Sequence, residues 1–125
     1  MPCMSALLDE LEKQSRLLTA QEKVTLARIL IRFLTPAEEE MTEAALFYEA
    51  ASSQLGTDFL DDVQRAVGRV RKFPQVGEAI TSGVRQTLLH RFPFSLIYAI
   101  EENVIVVIAL AHHARRPGYW QSRVS

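Results

Sequence analysis

Residues 84–120 read VRQTLLHRFPFSLIYAIEENVIVVIALAHHARRPGYW, and the fold turns on how this stretch is parsed. It holds three apolar runs, 84–90, 94–101 and 103–111, each of strand length and rich in Val, Ile, Leu, Phe and Tyr. Arg91-Phe92-Pro93 separates the first from the second, because Pro has no N–H to give a ladder. Glu101-Glu102-Asn103 is a polar hairpin tip between the second and third. The third run passes directly into His112-His113-Ala114-Arg115-Arg116-Pro117-Gly118-Tyr119-Trp120. This pattern predicts a three-stranded antiparallel meander that carries a basic, aromatic C-terminal segment to one edge.

Upstream, the periodicity becomes helical. Thr35-Pro36-Ala37-Glu38 is a helix start, with Thr as cap, Pro in the first turn and Glu38 closing a capping box. Glu38, Glu39 and Glu40 sit where the helix dipole favours acids. Met41, Ala44, Ala45, Tyr48 and Ala51 mark the buried stripe, and Leu55-Gly56 ends the helix. A second helix opens near Asp58, buries Phe59, Val63, Ala66, Val67 and Val70, and stops at Phe73-Pro74. Two helices so closely joined form an antiparallel hairpin. Their apolar stripes need a cover, and the sheet offers one, so the expected class is α+β. Residues 75–83 read as a loop. Residues 29–34 fit either the end of a preceding helix or a short strand. Further upstream, residues 5–15 are amphipathic, with Leu7, Leu8 and Leu11 on one face. Thr19 and Glu22 form a capping box, so a helix is expected from about Ala20.

The chain has 125 residues, which suggests one domain able to bury a real core. A single cysteine, Cys3, excludes an intramolecular disulfide and a cysteine-based zinc site, and it fits a reducing cytoplasm. No signal peptide and no apolar run of membrane-spanning length are apparent. The net charge of −1 hides a polarity. Residues 36–62 carry −8, residues 63–125 carry +6 and residues 1–35 carry +1. An acidic helical edge and a basic sheet end follow, the latter suited to RNA, an acidic peptide or an acidic protein surface.

Candidate chemistry lies in the meander. Arg85 can reach a phosphate or carboxylate, or pair with Glu78 or Glu101. His112 and His113 are adjacent, so in a strand they point to opposite faces and cannot share one metal; no metal site is expected. Either can act as a general acid or base near neutral pH or hydrogen-bond to backbone. Arg115 and Arg116 beside Tyr119 and Trp120 suit nucleic acid or a protein interface. Trp120 by itself is expected to fold back onto the sheet.

Read in order, these residues resemble the RelE/ParE superfamily of bacterial toxins, and more closely its ParE-like, plasmid-stabilisation branch. The resemblance rests on Arg85, on Phe92-Pro93-Phe94 followed by Ile97-Tyr98, on the Glu-Glu-Asn turn, and on the apolar run ending in His112 to Trp120. It extends upstream to about Thr35. It implies a helical hairpin on a three- to four-stranded antiparallel sheet, and it favours residues 31–34 as the edge strand. It divides the chain into a toxin domain, 31–125, and a helical extension, 1–30. That extension is similar to addiction-module-component antitoxins through LLTAQEKVTLARILIRFL, and many amphipathic helices share its pattern.

The resemblance further implies a toxin of a type II toxin–antitoxin system, without cofactor, whose partner is a cognate antitoxin, an acidic or amphipathic helical peptide. A homodimer is also compatible. Target-binding residues would be Arg85, Arg91, Arg115, Arg116, Tyr119 and Trp120, with His113 beside them. RelE-type relatives cleave messenger RNA on the ribosome without a metal. In that alternative Tyr119, His113 and Arg115 would be catalytic. However, Ser95 stands where that branch has an arginine, which removes charge stabilisation from the transition state. The near-neutral total charge points the same way. The resemblance therefore favours the ParE-like mode, inhibition of DNA gyrase through protein contacts. A fusion of antitoxin-like and toxin-like parts that serves only as an interaction module is the third alternative.

Overall fold

The computed structural model describes residues 29–124. The helices expected over 5–15 and from about Ala20 fall on residues outside the described ones. The elements run β1 (Leu30–Phe33), α1 (Thr35–Ala51), α2 (Leu55–Lys72), β2 (Glu78–Thr81), β3 (Val84–Leu88), β4 (Phe94–Glu101), β5 (Val104–His112) and a 3-10 turn (Gln121–Arg123). Both helices pack on one face of a five-stranded sheet of order β1-β5-β4-β3-β2. The expected α+β class, helical hairpin and meander are all present. So is the short strand before Thr35, as an edge strand parallel to β5.

Strand alternation sorts the core. Ile31, Phe94, Leu96, Tyr98, Ile105, Val107 and Leu110 face the helices. There they meet Met41, Phe59, Val63, Ala66, Val67 and Val70. Each Val, Leu, Ile, Phe or Met side chain among them contributes ~1.5–3 kcal/mol on leaving water, before the entropy of ordering is counted. Val84, Ile97, Ile108, Ala109 and Ala111 face the other way and are covered by Trp120. A bulge couples the two faces. Ile97 pairs with Ala109 and Tyr98 with Val107, which leaves Ile108 unpaired. The extra residue shifts the alternation by one, so that Ala109 joins Ile108 on the far face and Leu110 turns to the helix side.

Several boundaries differ from the expectation, each for a tertiary reason. The loop predicted over 75–83 contains β2, which pairs with β3 across a turn ending in Gly83 at φ 77°. Its four residues are all exposed, so no apolar alternation betrays it. The first meander strand stops at Leu88, two residues before its expected end at His90. There the backbone N–H groups of His90, Arg91 and Phe92 leave the ladder for the Asp62 carboxylate, at 3.2, 2.7 and 3.3 Å. Asp62 is fully buried on α2, and these donors replace the water it loses.

The helix junction also moves. Leu34, rather than Thr35, is the cap of α1, and its carbonyl accepts from Ala37 and Glu38. The expected capping box is not formed. Helix α1 ends at Ala51, which is exposed, and α2 begins at Leu55. Gln54 turns the chain at φ 75°. The Glu49 carboxylate of α1 accepts the N–H groups of Gln54 and Gly56 at 3.2 and 3.0 Å, so one helix caps the next. Gly56 thus lies inside α2 where the helices touch.

That contact yields a signed prediction. A Cβ on Gly56 would lie 2.5 Å from the Ala45 carbonyl oxygen and 2.9 Å from the Glu49 Cβ. Gly56→Ala should therefore lower stability in urea unfolding by about 1–3 kcal/mol, despite the better helix propensity of Ala. Gly68→Ala on the same helix meets nothing within 4 Å and should instead gain about 0.5–1 kcal/mol.

Candidate functional site

The site is built where β5 runs out. Strand β1 ends at Phe33 opposite Val107, so β5 continues past it without a neighbour on that edge. Side chains complete the edge. Glu40 of α1 accepts the Leu110 N–H at 3.1 Å, and the Arg123 guanidinium donates to the Ile108 carbonyl at 3.1 Å. Arg123 also grips Glu40 with both Nη atoms, at 2.9 and 3.0 Å. The Tyr119 hydroxyl donates to Glu40 Oε2 at 2.5 Å. A single carboxylate therefore joins the first helix, strand β5 and the C-terminal segment.

Beyond His112 the chain folds back over the open sheet face. His113 N–H donates to the Pro93 carbonyl at 2.9 Å, and Gly118 supplies the turn at φ 76°. Trp120 lands on Ile97, Ile108 and Ala109 and is 3% exposed, as expected of it. Between this returning segment and the β2–β3 hairpin lies an open groove of ≈ 640 Å³. Ile80, Leu88, Ser95, His113, Arg116 and Trp120 are among its lining residues. Ile80 and Leu88 are 40% and 55% exposed, so the floor is partly apolar and the rim basic.

The candidate residues separate into two groups. His113, Arg115, Arg116, Tyr119 and Trp120 come together along the groove. His113 Nε2 lies 3.1 Å from Ser95 Oγ, whose residue is 6% exposed. Arg115 stacks over the Tyr119 ring at 3.9 Å and stands 4.0 Å from Glu40. Arg85 and Arg91 lie elsewhere. Arg85 pairs with Tyr98 across the sheet, so it is on the helix side, where it donates to the Gly77 carbonyl at 2.7 Å. Arg91 is 3.6 Å from Asp58 on α2 and packs over Phe92. His112 accepts the Ala114 N–H on Nδ1 and stands edge-on to Phe94. Among the described residues no cluster of three or more His, Cys, Asp or Glu is placed to hold a metal, and no helix is long and apolar enough to cross a membrane.

The electrostatics follow from this geometry. Burial pushes the Glu40 carboxyl up, but the hydrogen bonds from Arg123, Tyr119 and Leu110 and the charge of Arg123 outweigh it, so its pKa falls below the usual value. Tyr119 moves the other way. Burial, and then its hydrogen bond to Glu40 and the charge of Glu40, push its pKa up to about 12. Its proton is therefore held tightly.

Glu40 and Arg123 were not singled out by their local sequence. Glu40 had one signal: it follows Ala37 by three and precedes Ala44 by four, the spacing of one helix face. Arg123 had none, since its partner is 83 positions away.

Breaking this cluster has a calculable sign. Glu40→Gln leaves Arg123 half-buried without its counter-charge and should cost about 2–4 kcal/mol. The Glu40 contribution is complete above its unfolded pKa, near 4.5, and is lost as pH falls through the lower folded value. Acid unfolding curves of the wild type should thus be steeper below that pH than those of Glu40→Gln. The Tyr119 contribution is complete below about 10 and lost as pH rises through about 12. Ultraviolet titration should lose its step near 12 in Tyr119→Phe and show that step lowered in Glu40→Gln.

A family model for the ParE toxin of the type II toxin–antitoxin system parDE matches residues 31–117. Among solved structures, the chromosomal ParDE TA system from P. aeruginosa is similar, with a TM-score of 0.51 and 21% identity over 67% of this chain and 95% of that one. The isolated E. coli RelE toxin aligns with a TM-score of 0.48 and 14% identity, over 76% of this chain and 95% of that one. No curated protein matches the chain.

Proposed function

The chain belongs to the ParE toxin family of type II toxin–antitoxin systems, and on that premise we propose that it acts by binding a protein target, DNA gyrase foremost, and not by cutting RNA. In this reading residues 31–125 are the toxin domain, residues 1–30 are an added extension, and a cognate antitoxin restrains the toxin in the cytoplasm. The observation that carries the reading is the state of Tyr119. A general acid or base works best with a pKa near the operating pH. Tyr119 instead keeps its proton, donating it to the Glu40 carboxylate, with its pKa pushed up to about 12.

The remaining groups support the same reading. Ser95 offers a hydroxyl, not a cation, beneath the groove. Arg115 is engaged by the Tyr119 ring and Glu40. What faces outward is Arg116 and His113 beside the exposed Leu88 and Ile80. Basic and apolar groups set side by side around a largely buried aromatic ring suit a protein surface better than a phosphate backbone, which has no apolar face to cover Ile80 and Leu88.

One observation favours the runner-up, a metal-independent ribosome-dependent endoribonuclease. His113 bonded to Ser95 is an oriented imidazole on the open face, and it can take the role of base in place of Tyr119. Two assays on one preparation separate the readings. Gyrase supercoiling should be inhibited by the wild type and relieved in Arg116→Glu, while messenger RNA on programmed ribosomes stays intact. Ribosome-dependent cleavage that disappears in His113→Ala would install the runner-up instead.

A further inference from the structure

We infer that the groove beside Trp120 is a docking site for this chain's own residues 5–12, which lie outside the described residues. Neither the family match, which begins at residue 31, nor the similar ParDE structure, which covers 67% of this chain, calls for a segment of that length before β1. The inference stands on the fit of two surfaces and on reach.

The groove presents an apolar floor with a basic rim. Ile80 and Leu88 remain 40% and 55% exposed and line the same depression. His113, Arg115 and Arg116 border it and are exposed. Among the described residues Arg116 has no ion pair. Residues 5–12, SALLDELE, carry the complement: Leu7, Leu8 and Leu11 at helical spacing, and Asp9, Glu10 and Glu12 with no base before Lys13. Elsewhere eight acids lie on residues 36–62; of these Glu40 is already taken up by Tyr119 and Arg123, and among the described residues Glu78 on β2 is the one acid beside the groove, where it accepts from Gln86 at 3.0 Å.

Reach is sufficient. The chain enters the sheet at Leu30, whose N–H donates to the Asn103 carbonyl at the far end of β5. The groove centre lies about seven residues along the strands and three strands across, or ~27 Å away at standard strand spacings. The nineteen steps from Leu11 to Leu30 span ~28 Å if helical and more if extended. One chain can therefore close the contact upon itself. Docking would place the acidic segment over the surface assigned above to the target, so that a target at saturating concentration displaces it; that consequence rests on the proposed function, whereas the docking does not.

The sequence supplies its own probes, one cysteine at Cys3 and one tryptophan at Trp120. A nitroxide on Cys3 of the full chain should broaden the single indole N–H resonance of Trp120, with a several-fold loss of peak intensity that returns on reduction by ascorbate. Leu8→Asp with Leu11→Asp, or Arg116→Glu alone, should abolish the broadening. Adding Asp9→Arg to Arg116→Glu should restore it. Dilution with excess unlabelled Trp120→Phe chain should leave it unchanged. If dilution removes the broadening, the occupant is the segment of a second copy, and the intrachain proposal is overturned. If a folded, labelled chain shows none, the segment does not dock and the groove is left to a separate partner. The readout is independent of toxicity, so it fails or succeeds apart from the gyrase assay.

Discussion

The fold depends on how a central strand is finished where its neighbour ends. Strand β5 is buried on both faces, and an unpaired N–H there carries the full cost of desolvation. Glu40 answers the Leu110 N–H and Arg123 answers the Ile108 carbonyl. Because the two side chains also pair with each other, the repair to the sheet edge ties the C-terminus to the first helix. A carboxylate at that position is tolerable only because four donor groups converge on it.

The same device recurs at three other places where the chain leaves regular structure. Asp62 takes three N–H groups of the turn between β3 and β4. Glu49 takes two from the helix junction. Tyr98, buried beneath the helices, donates to the Pro74 carbonyl at 2.6 Å and accepts the Gly77 N–H at 3.0 Å, while Arg85 holds the Gly77 carbonyl. Irregular backbone is thus pinned by charged or phenolic groups from distant elements. The groove between the hairpin and the returning C-terminal segment takes its shape from these ties.

They also decide which polar side chains remain for recognition. Arg85 and Arg123 are engaged with backbone or Glu40, and Arg91 leans toward Asp58. Arg116 and His113 are left at the groove, next to exposed aliphatic side chains. A surface of that composition favours a partner that is acidic and apolar at once, because each charge then meets its opposite and the floor is covered. An aromatic residue whose hydroxyl is held by a buried carboxylate serves this surface as a rigid wall, with Arg115 stacked upon it.

Local sequence determined the elements and their apolar faces. Period-two runs ended at Pro93 and at Glu102-Asn103, and 3.6-residue stripes ran from Met41 to Tyr48 and from Phe59 to Val70, because side-chain spacing alone sets which residues share a face. The position of Trp120 on the sheet was legible for the same reason: a large ring beside an apolar face is driven from water. Tertiary structure alone decided which of three consecutive glutamates was buried, that Tyr119 would serve as an anchor, that Arg85 would face the helices, and that an exposed four-residue run would pair as β2. Those outcomes depend on polar partners brought from 70 to 83 positions away, or on backbone pairing without an apolar pattern. Hydrogen bonds of that range leave no periodicity in the chain, so only the folded arrangement of neighbours can select them.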